Sequence, residues 1–165
     1  MALRAAGKWY VALQVRPYWN TEKNKRESWP GGHQVTAHGK LKDDEDFIQS
    51  LVRETEEEIG YEAASVVQRL AASGELIKLV DHDGEKEHAI TFGAVIGNPA
   101  DVEAVLAGTN RTTKKQVTTL IRLVNEDVEI VDLRQFDKEA GVTNDSIAMF
   151  PDEKEAVRLA FEKLG

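Results

Sequence analysis

Three acids, Glu54, Glu57 and Glu58, stand in the run Arg53-Glu-Thr-Glu-Glu-Glu58. Advanced at about 100° per residue on a helix, they fall within one arc of about 100°, beside the apolar positions. Glu56 falls far from them, on the outer side. Carboxylates that close repel one another and stay ionised only beside a compensating cation. A hard divalent ion, Mg2+ or Mn2+, takes oxygen ligands and keeps places for water and substrate phosphate. The chemistry such a site offers is activation of water toward phosphorus. The same pattern also describes a solvated helix face with i,i+4 partners, so the surrounding residues must separate the two.

A helix has to position these acids, and the spacing predicts one from Asp44 to Ile59. Phe47, Ile48, Leu51, Val52, Thr55 and Ile59 follow the helical repeat, acids sit in the expected first turn, and Gly60 suits the position past the end. Before it, Lys8 to Val15 reads as a strand, Arg16 to Ser28 as a polar loop, and Trp29-Pro-Gly-Gly32 as a turn. After it, Val66–Leu70, Glu75–Val80, Ala89–Ile96 and Val117–Val124 read as strands by β-branching or alternation. Asp81-His-Asp-Gly84 reads as a hairpin turn, because a calcium loop would carry its glycine sixth and here it comes fourth. Pro151 opens a closing helix whose stripe is Val157, Ala160, Phe161 and Leu164. Asn110-Arg-Thr112 matches a glycosylation sequon without a secretory signal to give it meaning.

The longer run Gly39 to Tyr61 resembles the Nudix box, G-x5-E-x7-R-E-U-x-E-E-x-G-U, where U is a bulky apolar residue. Gly39, Glu45, Arg53, Glu54, Glu57, Glu58 and Gly60 all fall on its fixed positions. From average residue usage, seven such matches arise by chance in fewer than about one chain of this size in 10^5. Thr55 and Tyr61 depart from the bulky apolar positions. Pro30-Gly-Gly32 stands seven residues ahead of Gly39, where family members often let the second glycine begin the box. The loop His33 to His38 therefore reads as an insertion that leaves open whether Gly32 or Gly39 faces a metal.

The resemblance implies an α/β fold, an α/β/α sandwich around a mixed central sheet, with residues 1–165 as one domain. It implies that Glu54, Glu57, Glu58 and Gly39 hold Mg2+ or Mn2+, with Glu57, Glu54, Glu45 and Arg53 as the catalytic group. Within that group Glu45 is a supporting acid and Arg53 holds a box carboxylate. On the residues alone, Arg53 also reads as a helix-surface ion pair and Glu45 as an acid at the helix amino end. The implied activity is hydrolysis of a diphosphate linkage in a nucleoside diphosphate derivative or related compound. A non-catalytic nucleotide-sensing domain is the alternative. An isomerase of the same family would need a cysteine, and the chain has none.

Composition narrows the classes further. The 165 residues hold 21 Lys+Arg against 29 Asp+Glu, a formal charge of −8 that disfavours broad binding to duplex nucleic acid. No apolar run suits a membrane span, and the opening residues meet Lys8 before a signal core forms, so a cytoplasmic location is expected. The expected partner is a small diphosphate compound, and self-association into a homodimer is left open. His33 and His38 read either as polar residues of a flexible loop or as candidates for metal or phosphate contact. Glu87, Glu103, Glu126 and Asp127 are candidates for a distal base. Arg16, Lys23, Lys25 and Arg26, with Trp9, Tyr10, Tyr18, Trp19 and Trp29, form a basic and aromatic stretch suited either to packing or to base stacking.

Overall fold

The computed structural model describes residues 1–21, 23–85, 88–107 and 119–165. The strands are β1 (Ala2–Ala5), β2 (Lys8–Val15), β3 (Trp19–Asn20), β4 (Lys25–Arg26), β5 (His33–Val35), β6 (Ile77–Asp83), β7 (His88–Gly93), β8 (Leu120–Asn125), β9 (Ile130–Asp132) and β10 (Ile147–Met149). The helices are α1 (Phe47–Glu58), α2 (Tyr61–Ala72), α3 (Pro99–Leu106) and α4 (Pro151–Leu164).

β2 organises the sheet. One of its edges pairs antiparallel with β8, from Tyr10↔Asn125 to Val15↔Leu120. Its other edge is shared: β1 takes Lys8 to Val11 and β5 takes Leu13 to Val15. Parallel pairing enters where Ala2 bridges Val95 and where β10 lies beside β9, so the sheet architecture is mixed. Because side chains alternate along a strand, Val11 and Leu13 share a face, and there they pack with Val157 and Ala160 of α4. Ile59 and Ala63, at the junction of α1 and α2, pack with Ile96 and with Val105 of α3. The result is the expected α/β/α arrangement. Among the described residues no helix is long and apolar enough to cross a membrane.

Several boundaries differ from the sequence expectation, each for a local reason. α1 begins at Phe47, not Asp44, because Asp46 caps it: the Asp46 side chain accepts from the Gln49 amide and Gln49 returns a bond to the Asp46 amide. The acids before Asp46 thus belong to a loop. Val66–Leu70 lies inside helix α2, where Ala63, Ala64, Val66, Val67 and Leu70 are buried at helical spacing. Two adjacent valines suggested a strand, but flanking alanines and tertiary burial decide otherwise. Asp81–Asp83 belong to β6, and the reversal falls after them, since Asp83 pairs with His88. Trp19–Arg26, read as loop, contains the β3–β4 hairpin. Helix α3 was not read from the sequence, although its Asn98 cap and Pro99 carry a start signal, and strands β1, β9 and β10 are too short for periodicity to reveal. Glu87, the sequon at 110–112 and Val117 lie outside the described residues.

The turn before β5 requires glycine for a definite reason. Gly31 has φ +77°, as does Gly141, where a Cβ would meet the Pro30 carbonyl oxygen at 2.1 Å. Leu13 is fully buried in the α4 face, whereas Leu51 is half-buried on α1. Leu13→Ala is therefore expected to cost about 2–5 kcal/mol in urea unfolding, and Leu51→Ala, the residue the helical repeat placed in the core, clearly less, because part of its side chain is already in solvent.

Candidate active site

Arg53 is the hub of the acidic constellation. Its Nε donates to Glu45 Oε1 at 2.6 Å and its Nη2 to Glu45 Oε2 at 2.9 Å, a two-pronged pairing. Nη1 donates to Glu54 Oε1 at 2.5 Å and stands 3.6 Å from Glu57 Oε1. Nη2 also reaches the Lys40 carbonyl at 3.0 Å. One guanidinium thus ties helix α1 to the loop that precedes it. The Arg53 hydrogen bond, helped by the Lys42 amide, pulls the Glu45 carboxyl down to about 2. Chiefly through Glu45, Arg53 is itself held more firmly protonated.

The two glycines stand in different surroundings. A Cβ on Gly39 would lie 2.0 Å from the Glu54 carboxylate, so that backbone abuts the acid directly. Gly32 instead packs against Leu133, where a Cβ would come within 2.7 Å of the side chain. Glu57 also lies 3.6 Å from Lys42 Nζ. Glu58 accepts from the His38 amide at 3.4 Å, and its carbonyl accepts from the Thr119 hydroxyl. Glu56 is half-buried, not out on the exposed side of the helix as its angular position suggested.

The chemistry of this donor set, carboxylates and a side-chain-free backbone at Gly39, suits a hard divalent ion. Among the described residues no group of three or more His, Asp or Glu side chains converges as a ready-made cage. In this arrangement Arg53 and Lys42 carry the charge compensation.

A family model for the NUDIX domain matches residues 2–112, about two-thirds of the chain. The chain belongs to the Nudix family. A comparison with curated proteins finds no match. The Nudix assignment makes this a domain of the pyrophosphohydrolase type, from a family that generally uses divalent metals and acts on small phosphate compounds.

The remaining candidates separate by location. His33 is 2% exposed, neither ring nitrogen has a partner, and burial followed by the Arg122 charge lowers its pKa to about 4. His38 lines the cavity beside Gly39. Asp127 pairs with Lys8, and it and Glu126 follow β8 at the end away from Thr119 and Glu58. Glu103 is exposed on α3.

One residue escaped the sequence reading. Glu153, in the first turn of α4, lines the same cavity as Gly39 and Glu54 and accepts from the Val35 amide at 3.1 Å. Burial raises it to about 7, against the Val35 hydrogen bond. In sequence it is only an acid at a helix start, where the dipole favours it; its burial comes from β5 lying across it.

Two opposite pH dependences follow. Glu153 has a folded value above its unfolded one, so the folded state loses stability as pH rises from about 4.5 through 7. Glu153→Gln should raise the thermal midpoint at pH 8 by about 2–6 °C, with the difference closing below pH 5. Glu45 is depressed, so its stabilisation is present above about 4.5 and lost as pH falls toward 2. Glu45→Gln should lower the midpoint at pH 7 and approach the parent in acid, as thermal melts across that range would show.

Proposed function

We propose that this Nudix domain is a metal-dependent hydrolase that cleaves a diphosphate linkage in a nucleoside diphosphate derivative by attack of water at phosphorus. The observation that carries the reading is the opening of the Gly39–Glu54 contact onto a cavity of about 740 Å³. That volume falls in the range of small-molecule sites. Phe47, Leu51 and Phe92 give it apolar wall, and Arg16, Gln34 and Glu153 give it polar groups. We read 1–165 as one domain, since α4, beyond the matched 2–112, supplies part of the cavity lining. A cytoplasmic site of action accords with the cysteine-free composition.

In this reading Glu54, Glu57, Glu58 and the Gly39 backbone hold Mg2+ or Mn2+. When bound, such an ion supplies charge neutralisation to phosphate oxygens and acidity to water. Arg53 fixes the Glu54 carboxylate and keeps Glu45 ionised beside it. Arg16 is held by Glu27, the Ser28 carbonyl and Gln34, so it presents a positioned cation at the cavity wall. Gly39 keeps the approach to Glu54 open.

Turnover of a nucleotide panel with Mg2+ or Mn2+ tests the reading. EDTA should abolish it, and reaction in oxygen-18 water should label a product phosphate. Glu57→Gln and Glu58→Gln should each lower kcat by about 10^2 to 10^4-fold with the fold intact. Gly39→Ala should displace the Glu54 carboxylate from Arg53 and lower both activity and the thermal midpoint. Near-normal turnover in both glutamine variants would exclude the assignment. Tight metal-independent binding without turnover would favour a sensing domain.

A further inference from the structure

The β3–β4 hairpin separates the basic and aromatic stretch into two groups. Arg16 is absorbed by Glu27, Ser28 and Gln34, and Trp29 packs edge-on against Phe150 at 5.3 Å, with its Nε1 donating to the Phe136 carbonyl. Trp9 and Tyr10 are half-buried on β2. Tyr18 and Trp19 are instead 61% and 52% exposed, large rings left in solvent. Lys23, Lys25 and Arg26 are exposed beside them. Among the described residues, neither ring makes an aromatic or cation–π contact, and none of the three cations has an ion pair. Asp137, held low mainly by the Ala140 and Glu139 amides, also feels the Arg26 charge without pairing to it.

The register orients this group. Trp19 and Arg26 are cross-strand partners and share a face; Asn20 and Lys25 share the other. Asn20 is tied back to the body, its Nδ2 donating to Glu27 Oε2 at 2.8 Å, and Glu27 in turn binds Arg16. The Trp19–Arg26 face is the one opposite that anchor. An indole beside a guanidinium matches a nucleobase and its phosphate, the first by stacking and the second by charge. Two-residue strands offer far less surface than the roughly 800 Å² per partner of a stable protein interface. In a chain of charge −8, a local cationic patch can hold only a short polyanion that the rest of the surface repels.

We propose that the β3–β4 hairpin binds unpaired nucleic acid, stacking a base on Trp19 and holding the adjacent phosphate with Arg26, its cross-strand partner. A duplex hides its base faces and cannot use the ring.

The experiment is fluorescence anisotropy of the full chain with a labelled oligouridylate of about eight nucleotides, in EDTA so that hydrolysis plays no part. Trp19→Ala should weaken binding at least about fivefold. Arg26→Ala should also weaken it and flatten the log–log salt slope by about 0.7. A blunt duplex of the same length should bind more weakly than the single strand. Unchanged thermal midpoints will show that these exposed positions leave the fold intact. The proposal is overturned by absent binding, by Trp19→Ala binding like the parent, or by a duplex binding as well as the single strand. A Trp19-dependent dimer in sedimentation, without oligonucleotide binding, would also overturn it and assign the patch to self-association.

Discussion

A single guanidinium holds the acidic region together. Glu54 is 6% exposed and shares helix α1 with two further box acids, and a buried carboxylate without a partner is strongly destabilising. Arg53 meets that demand because its planar fork serves several acceptors at once; a lysine ammonium offers no such fixed geometry. Glu45 and the Lys40 carbonyl come from the loop before the helix, so the same side chain that neutralises Glu54 also closes that loop. With Glu54 held there, position 39 has no room for a side chain.

The space that the acids face arises from sheet topology. β1 and β5 share one edge of β2 without continuing one another, and the cavity is lined from both strands, from the β6–β7 hairpin and from α4. Filling such a gap with apolar side chains would stabilise the fold. Here it is kept open, and a carboxylate, Glu153, is half-buried at its wall at the cost of a raised proton affinity. Stability withheld at a site is the usual mark of a binding function. Arg16 links the cavity wall to the base of the β3–β4 hairpin through Glu27, so the two surfaces rest on one polar network.

The box helix, strand β2, the Trp29–Gly32 turn and the closing helix were legible because each is a local pattern. Their apolar repeat, proline and glycine signals act within a few residues. The spacing of Gly39, Glu45, Arg53, Glu54, Glu57 and Glu58 was legible for the same reason. Helix α2 was not, since paired valines carry a strand signal that only burial against Ile96 and Ala94 overrides.

By itself, the sequence determined the family and the order of the acids along one helix edge, because both depend on short separations and a regular rise. Only the tertiary structure decided that Gly39, and not Gly32, meets Glu54. The same holds for the burial of His33 without a hydrogen-bond partner, for Glu153 reaching the cavity that Gly39 and Glu54 line from far earlier in the chain, and for Trp19 being left exposed while Trp29 is packed. Each of these depends on which distant segments are brought within a few ångströms, and solvent exclusion and charge at a point are set by all of them together.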